Sequence, residues 1–378
     1  MRRRYPFALL GLETRYVARL YLAHTALVTF LALGLVLALD LAGHFDRVLT
    51  AQGSVEAPEG ALRFAYYLWL RAEYNLPAIL PISLAIGILW VEFRLTQGYE
   101  RSMIANTGRA PGLSLMPALI VGLTVGLGQY ALQAYVRPHA VAAQGEAGFR
   151  YYGPRFNTGT APRSWRDFGD TLVYAGIRFA ADGPVLVGAR LFLFDENDRL
   201  VRVVWTDTAR PTDTGLLLEG EHYSWPAEEQ PGNLFPLMID GDWLSYAGVA
   251  PRFLPQPVLS RIAAAESGVP AQGTYRAALH ERWASVASSL ATALLVAGLS
   301  LRWMATRRRF AVPLAIIGIS YTLHIAGNVL SALGEYERLS PLAAAWGLPL
   351  CVLAGSLAVI LVGHWRVRRR LAILTPAE

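Results

Sequence analysis

A few polar and ionisable side chains stand inside or beside strongly apolar stretches, and these are the residues whose chemistry the fold must control. Asp40 lies near the end of one such stretch, and His324 and Asn328 lie one helical turn apart in another. Such groups are costly at membrane depth, so the three should face a cavity or another subunit, or form interhelical hydrogen bonds. Arg47, Arg137 and Arg150 follow apolar stretches. A guanidinium suits a phosphate bidentately, so each is a candidate for an anionic headgroup, with interfacial anchoring as the alternative. The polar stretch 96–108 carries Glu100, Arg101 and Ile104 and ends at Gly108, a residue suited to a helix C-terminus. A short surface helix held between two spans can take mechanical work from a soluble partner. Glu100 and Arg101 would then be charged contacts to a groove; the alternative is a solvated turn.

Enzyme signatures are missing. The chain has no G-x-x-x-x-G-K-[ST] phosphate loop, so it has no evident means of binding ATP itself. H-E-x-x-H is absent, and the seven His residues show no metal-ligand spacing, His280-Glu281 lacking the second His. No Ser/His/Asp arrangement can be asserted, and no cofactor or metal is expected. Cys351, the sole cysteine, lies in an apolar run and excludes an intramolecular disulfide.

The 378 residues are 54% hydrophobic and 16% charged. A typical soluble domain carries about a quarter charged residues, and the apolar residues here gather into runs of about 20, the length that crosses a bilayer core as a helix. Six spans are expected, roughly 16–41, 76–93, 113–136, 283–304, 310–330 and 342–362. The net charge is +6, and every basic residue is Arg. Residues 138–280 hold 12 Arg against 16 Asp and Glu, a net −4, which leaves +10 for the remainder. That placement argues against nucleic acid and for topology signals. With the N-terminus inside, sixteen arginines flank the inner ends, whereas the short outer loops and their borders hold Arg47, Arg63, Arg71 and Arg338. Both termini are therefore expected in the cytoplasm.

The middle region changes period. Strands are expected at 171–178, 185–194, 200–206, 215–223 and 234–239, several alternating apolar with polar side chains. The turn Asp195-Glu196-Asn197-Asp198 and the clusters 209–215 and 226–233 separate them. Short strands at this spacing suggest a sandwich, jelly roll or open barrel. Residues 251–268 read as a Pro-rich irregular return, and 273–281 as a helical lead into the fourth span. The expected domains are therefore three spans over 1–136, with a cytoplasmic helix at about 95–108, an outer β-domain over 137–272, and three spans with a basic tail over 273–378.

Residues 94–112, with Glu100 and Gly108, resemble the coupling-helix region of the LptF/LptG permeases. Further resemblances run in order: Arg15-Tyr16, Leu76-Pro77 through Pro81, Tyr135-Val136-Arg137-Pro138, the stretch 191–209, His280-Glu281-Arg282, and 339–349. Each is weak singly, but six in order on a three-span, β-domain, three-span plan are strong. The resemblance implies six transmembrane helices with an inserted periplasmic jelly roll, and a lipopolysaccharide export permease of the inner membrane. It implies as partners a second LptF/LptG-type subunit, a cytoplasmic LptB-type ATPase dimer, an LptC-type anchored protein and an LptA-type bridge. The coupling contact would map onto Glu100, Arg101, Ile104 and Gly108, and the gate onto the first and fifth spans, which contain Asp40, His324 and Asn328. The hairpin at 195–200 and the Arg-Tyr opening look closer to LptG than to LptF. Two departures stand out: Asp40 occupies a region where LptG-like chains often carry basic residues, and Val286 replaces a Pro common in the fourth span. The rival readings are an envelope scaffold or sensor that binds a partner through its β-domain, and an ion-coupled transporter.

Overall fold

The computed structural model describes residues 11–51, 58–106, 111–149, 160–180, 183–226, 232–303 and 311–374. Six of the described helices are long and apolar enough to cross a membrane. They run over Leu12–Leu49 (α1), Ala61–Gln97 (α2), Gly112–Glu146, Gln272–Trp303 (α8), Ala311–Glu335 (α9) and Pro341–Leu374 (α10). The third comprises Met116–Ala131 (α4), a π-helical turn Leu132–Val136 and Arg137–Glu146 (α5), and a short helix Glu100–Ala105 (α3) precedes it. The helices overrun the apolar stretches read from sequence. α1 has 38 residues, about 57 Å at 1.5 Å per residue against a hydrocarbon core of about 30 Å. An apolar run stops where lipid stops; a helix, whose hydrogen bonds are internal, need not.

Contacts divide the chain into two units: Met1–Phe45, Leu68–Arg137 and His280–Glu378 in one, and Asp46–Tyr67 with Pro138–Leu279 in the other. In the first unit, the core joins Tyr21 of α1, Leu84, Ile88 and Leu95 of α2, Val121 of α4 and Val296 of α8. Without a hydrophobic force between helices in lipid, close packing needs small residues. Gly122 and Gly126 of α4 supply them: a Cβ on Gly126 would stand 2.9 Å from the Val286 backbone of α8, and one on Gly122 would stand 2.9 Å from Ala293 Cβ. Val286 is thus a backbone-contact position.

Two prolines interrupt α2. Pro81 has no N–H for the carbonyl of Pro77 four residues earlier, and the buried Gln129 amide of α4 donates to that oxygen at 2.6 Å. Gln129→Leu removes the donor and leaves a buried carbonyl unpaired. We expect a loss of about 1–3 kcal/mol in the stability of the purified protein; thermal unfolding unchanged from wild type would show that the carbonyl finds another partner.

In the second unit, six antiparallel strands form one sheet in chain order: Thr160–Asp167 (β1), Thr171–Ala180 (β2), Gly183–Phe194 (β3), Leu200–Thr212 (β4), Gly215–Trp225 (β5) and Leu234–Phe235 (β6). Val173, Leu191 and Val204, opposed in register, are buried. Each described strand thus pairs with its neighbours in chain order. At the β3–β4 turn, Asp195 Oδ1 accepts from the N–H groups of Arg199 at 2.8 Å and Asn197 at 2.9 Å. These bonds hold its carboxyl below the usual carboxylate range.

Several local expectations change. β1 is an additional strand, β4 runs four residues into the expected turn cluster 209–215, and the last strand shrinks to two residues. β4 persists because Arg210, Pro211 and Thr212 pair with Leu217, Leu216 and Gly215, leaving Asp213 and Thr214 as the turn. The segment read as irregular holds a 3-10 turn, Pro251–Phe253, and a helix, Gln256–Ala264 (α7), preceded by a short helix Gly241–Ser245 (α6). Pro251 and Pro257 sit in first turns, where the missing N–H costs nothing. Beneath the sheet, Trp243 Nε1 of α6 donates to Tyr275 OH at 2.9 Å and meets Phe168 edge-on.

Candidate coupling and gating sites

α2 ends at Gln97, and Gly98 with Tyr99, in a left-handed conformation at φ 59°, turns the chain into α3. Glu100 opens α3, and its Oε2 accepts from Tyr16 OH of α1 at 3.1 Å. Tyr99, Ser102 and Met103 are exposed, whereas Ile104 packs against the helical core. Gly108 lies outside the described residues.

Arg101 does not point outward with them. Its Nε donates to Glu92 Oε2 of α2 at 3.0 Å, and its Nη2 donates to Glu92 Oε1 and, at 3.3 Å, to Tyr21 OH of α1. The Tyr21 hydroxyl in turn donates to Glu92 Oε1. Tyr21 and Glu92 are 0% and 1% exposed, so a buried carboxylate is satisfied by a two-pronged guanidinium and a phenol, each from a different helix. A charged outer contact by Arg101 is replaced by an inner strut. Reasoning from sequence missed this partnership, yet one signal was present: Glu92 is the sole ionisable residue in the apolar stretch 76–93.

Asp40 is likewise committed to a partner. Arg71 of α2 donates from Nε to Asp40 Oδ2 at 2.8 Å and from Nη2 to Oδ1. Both side chains are nearly buried, and His44 Nδ1 lies 2.9 Å from the Asp40 backbone oxygen. Arg71, counted from sequence as a border residue of an outer loop, is thus the partner that makes an acid tolerable there.

His324 of α9 lines a cavity of about 150 Å³. Around it stand Pro81 of α2, Ser288 and Thr292 of α8, Ser320 of α9 and Pro349 of α10. Asn328 is exposed one turn further on. Asp40 and His324 therefore sit in different surroundings: an ion pair with α2 in one case, a mixed apolar and hydroxyl-lined cavity in the other. Both α1 and α9 leave long apolar faces uncovered, with Phe30, Leu31, Leu35 and Leu39 on the first and Leu314, Tyr321 and Val329 on the second.

Of the headgroup candidates, Arg47 is exposed in the last turn of α1, and Arg150 lies outside the described residues. Arg137 begins α5 directly after the π-helical turn and lies over the Tyr74 ring at 4.9 Å, with Arg71 over the same ring at 5.2 Å. A ring shared by two guanidiniums holds both by cation–π attraction. Arg282, which sequence reasoning did not single out as a site, is buried near the start of the apolar part of α8, beside Trp283 stacked on Tyr130 at 4.4 Å. No cluster of His, Cys, Asp and Glu able to hold a metal occurs among the described residues.

Comparison with curated proteins finds none that matches the chain. A family model described as lipopolysaccharide export system permease LptF/LptG matches residues 15–362. It covers both members jointly and does not distinguish an LptG-like from an LptF-like subunit. With six apolar helices, an inserted antiparallel sheet and a match over nearly its whole length, the chain belongs to the LptF/LptG family and is a multi-pass inner-membrane lipopolysaccharide export permease.

Proposed function

We propose that this permease is the transmembrane half-unit of an ATP-driven lipid extractor. It pairs with a second LptF/LptG-type subunit, is driven by an LptB-type ATPase dimer, and hands lipopolysaccharide to a periplasmic bridge of LptC- and LptA-type proteins. Both termini lie in the cytoplasm, because sixteen inner-flank arginines outweigh the four of the outer borders. The middle region, residues 137–272, is then periplasmic, between the helical blocks 1–136 and 273–378. The uncovered apolar faces of α1 and α9 suit a lipid-entry gate, since each must meet lipid or a second subunit.

The observation that carries this reading is the form of α3. It is a short helix between two spans with an exposed edge of Tyr99, Ser102 and Met103 and a charged inner root. A solvated turn needs no such root, whereas a segment that takes force does. The chain has no phosphate loop of its own, so ATP hydrolysis belongs to a partner. Glu100→Arg reverses the charge at the start of α3. We expect ATPase co-purification to fall by at least roughly tenfold, equivalent to about 1.4 kcal/mol, with lipopolysaccharide release from vesicles falling alongside it. Wild-type co-purification and release in that variant would place the coupling contact elsewhere.

A further inference from the structure

We propose that Arg101 is the pin through which α3 drives α1 and α2 together, with Glu92 and Tyr21 as its socket; the proposal rests on the reading that an ATPase acts on α3. Gly98 and Tyr99 interrupt the helix between α2 and α3, and a two-residue link containing a glycine is a natural pivot. A helix of six residues resting on such a link would swing under load. Arg101 closes that freedom, because its side chain leaves α3 and ends between α1 and α2.

The chemistry of the joint suits force. The guanidinium meets both Glu92 oxygens, one of them at 3.0 Å, and reaches Tyr21 OH at 3.3 Å. A bidentate fork fixes orientation as well as distance, which a lysine ammonium on a flexible stem does not. Because Glu92 and Tyr21 are buried, pulling the fork away exposes no water to replace it, and the joint resists separation far more than a surface ion pair does.

The socket also belongs to a pair of helices that cannot slip easily past one another. Beyond Tyr21 and Glu92, the backbone of Thr25 lies so close to Gly87 that a Cβ there would stand 2.6 Å from the Thr25 nitrogen. Further along, Arg71 grips Asp40. α1 and α2 are thus held at three levels, one by the Tyr21–Glu92 hydrogen bond, one by backbone contact and one ionic, and a displacement delivered at Arg101 moves both as one lever. The lever includes the uncovered apolar face of α1, which is where a lipid entry route must open or close.

Glu92→Gln tests this. It is nearly isosteric, lies in α2 and leaves the exposed edge of α3 untouched. In the complete complex, with Cys351 replaced by Ser, spin labels at Leu31 of α1 and Ile319 of α9 report the lever, and lipopolysaccharide transfer to an acceptor reports transport. We expect ATP hydrolysis to be retained and the nucleotide-free label distance to be unchanged. The nucleotide-induced change in distance should be lost, and transfer should drop roughly tenfold, inside the roughly 5–150-fold range of coupling between sites. Should Glu92→Gln fail to fold, Tyr21→Phe, which keeps the ring and the ion pair, carries the same expectation for the α1 label. A wild-type distance change in the folded variant overturns the proposal alone. A fall in hydrolysis equal to the fall in transfer, with an altered resting distance, also overturns it by reducing Arg101 to a packing element. Absence of any nucleotide-induced change in the wild-type complex overturns the underlying reading of an ATP-driven lever.

Discussion

Asp40→Ala should be among the most damaging single substitutions in the membrane unit. It removes both Asp40 bonds from the Arg71 guanidinium, whose side chain is 7% exposed. Removing one partner of a buried pair costs about 3–5 kcal/mol, because the remaining charge stays desolvated. The drop should appear as a lowered unfolding temperature of the purified permease and a reduced membrane yield. Replacing both residues with apolar ones, Asp40→Leu with Arg71→Met, should restore most of that stability, since the desolvation cost of both ions disappears with them. The double variant then separates two roles: normal lipid transfer would make the pair a structural tie, and lost transfer at restored stability would make it part of the gate. An Asp40→Ala protein within about 1 kcal/mol of wild type would mean that the pair behaves like an exposed surface bridge and that the burial seen here is not maintained in the bilayer.

Gly87→Val should act at the same interface by a different force. A Cβ at position 87 would lie 2.6 Å from the Thr25 nitrogen and 2.7 Å from its Cα. Both are backbone atoms of α1, so no rotamer change relieves the contact and the helices must separate. Replacing a helical glycine favours the helix by a few tenths to about 1 kcal/mol, but overpacking typically costs about 1–3 kcal/mol and occasionally more. Strain therefore wins, and its reach is wider than one contact. Separation at Gly87 also draws Tyr21 from Glu92 and Asp40 from Arg71, which flank it along α1 and α2. We expect a clear loss of thermal stability and a weaker response of α1 to nucleotide. Unchanged stability in Gly87→Val would sink the close α1–α2 crossing, and with it one of the three ties on which the lever depends.

The membrane architecture was legible because bilayer physics writes itself into local composition. A span needs about 20 apolar residues in a row whatever surrounds it, and the acidic, alternating middle region announces its own solvent. Glu100, read as a charge on a short polar stretch between two such runs, opens the short helix α3. Other features were not. Arg101 stands next to Glu100 in a polar loop, and nothing in its neighbours tells that it turns inward; only the position of Glu92 one helix earlier and Tyr21 some eighty residues away decides it. Arg71 was read as a loop-side positive charge, although Asp40 across the α1–α2 interface makes it half of an ion pair. Gly122 and Gly126 carry a small-residue spacing visible in the chain, but the facing helix, α8, is more than 150 residues distant and is named only by packing. The prolines at 251 and 257 read as breakers because their effect depends on whether they fall in a first turn or later, which is a matter of where the helix starts.

By itself, then, the sequence determined what each segment must be immersed in: six runs that lipid alone can accept and a sheet-forming insert that water can accept. Those are single-segment properties, set by transfer free energies that add along the chain. Tertiary structure alone decided which polar residues serve one another. Asp40 with Arg71, Glu92 with Arg101 and Tyr21, and Gln129 with the carbonyl freed by Pro81 are each settled by distances of about 3 Å between atoms on different helices. In a low-dielectric interior such distances separate a satisfied group from a costly one.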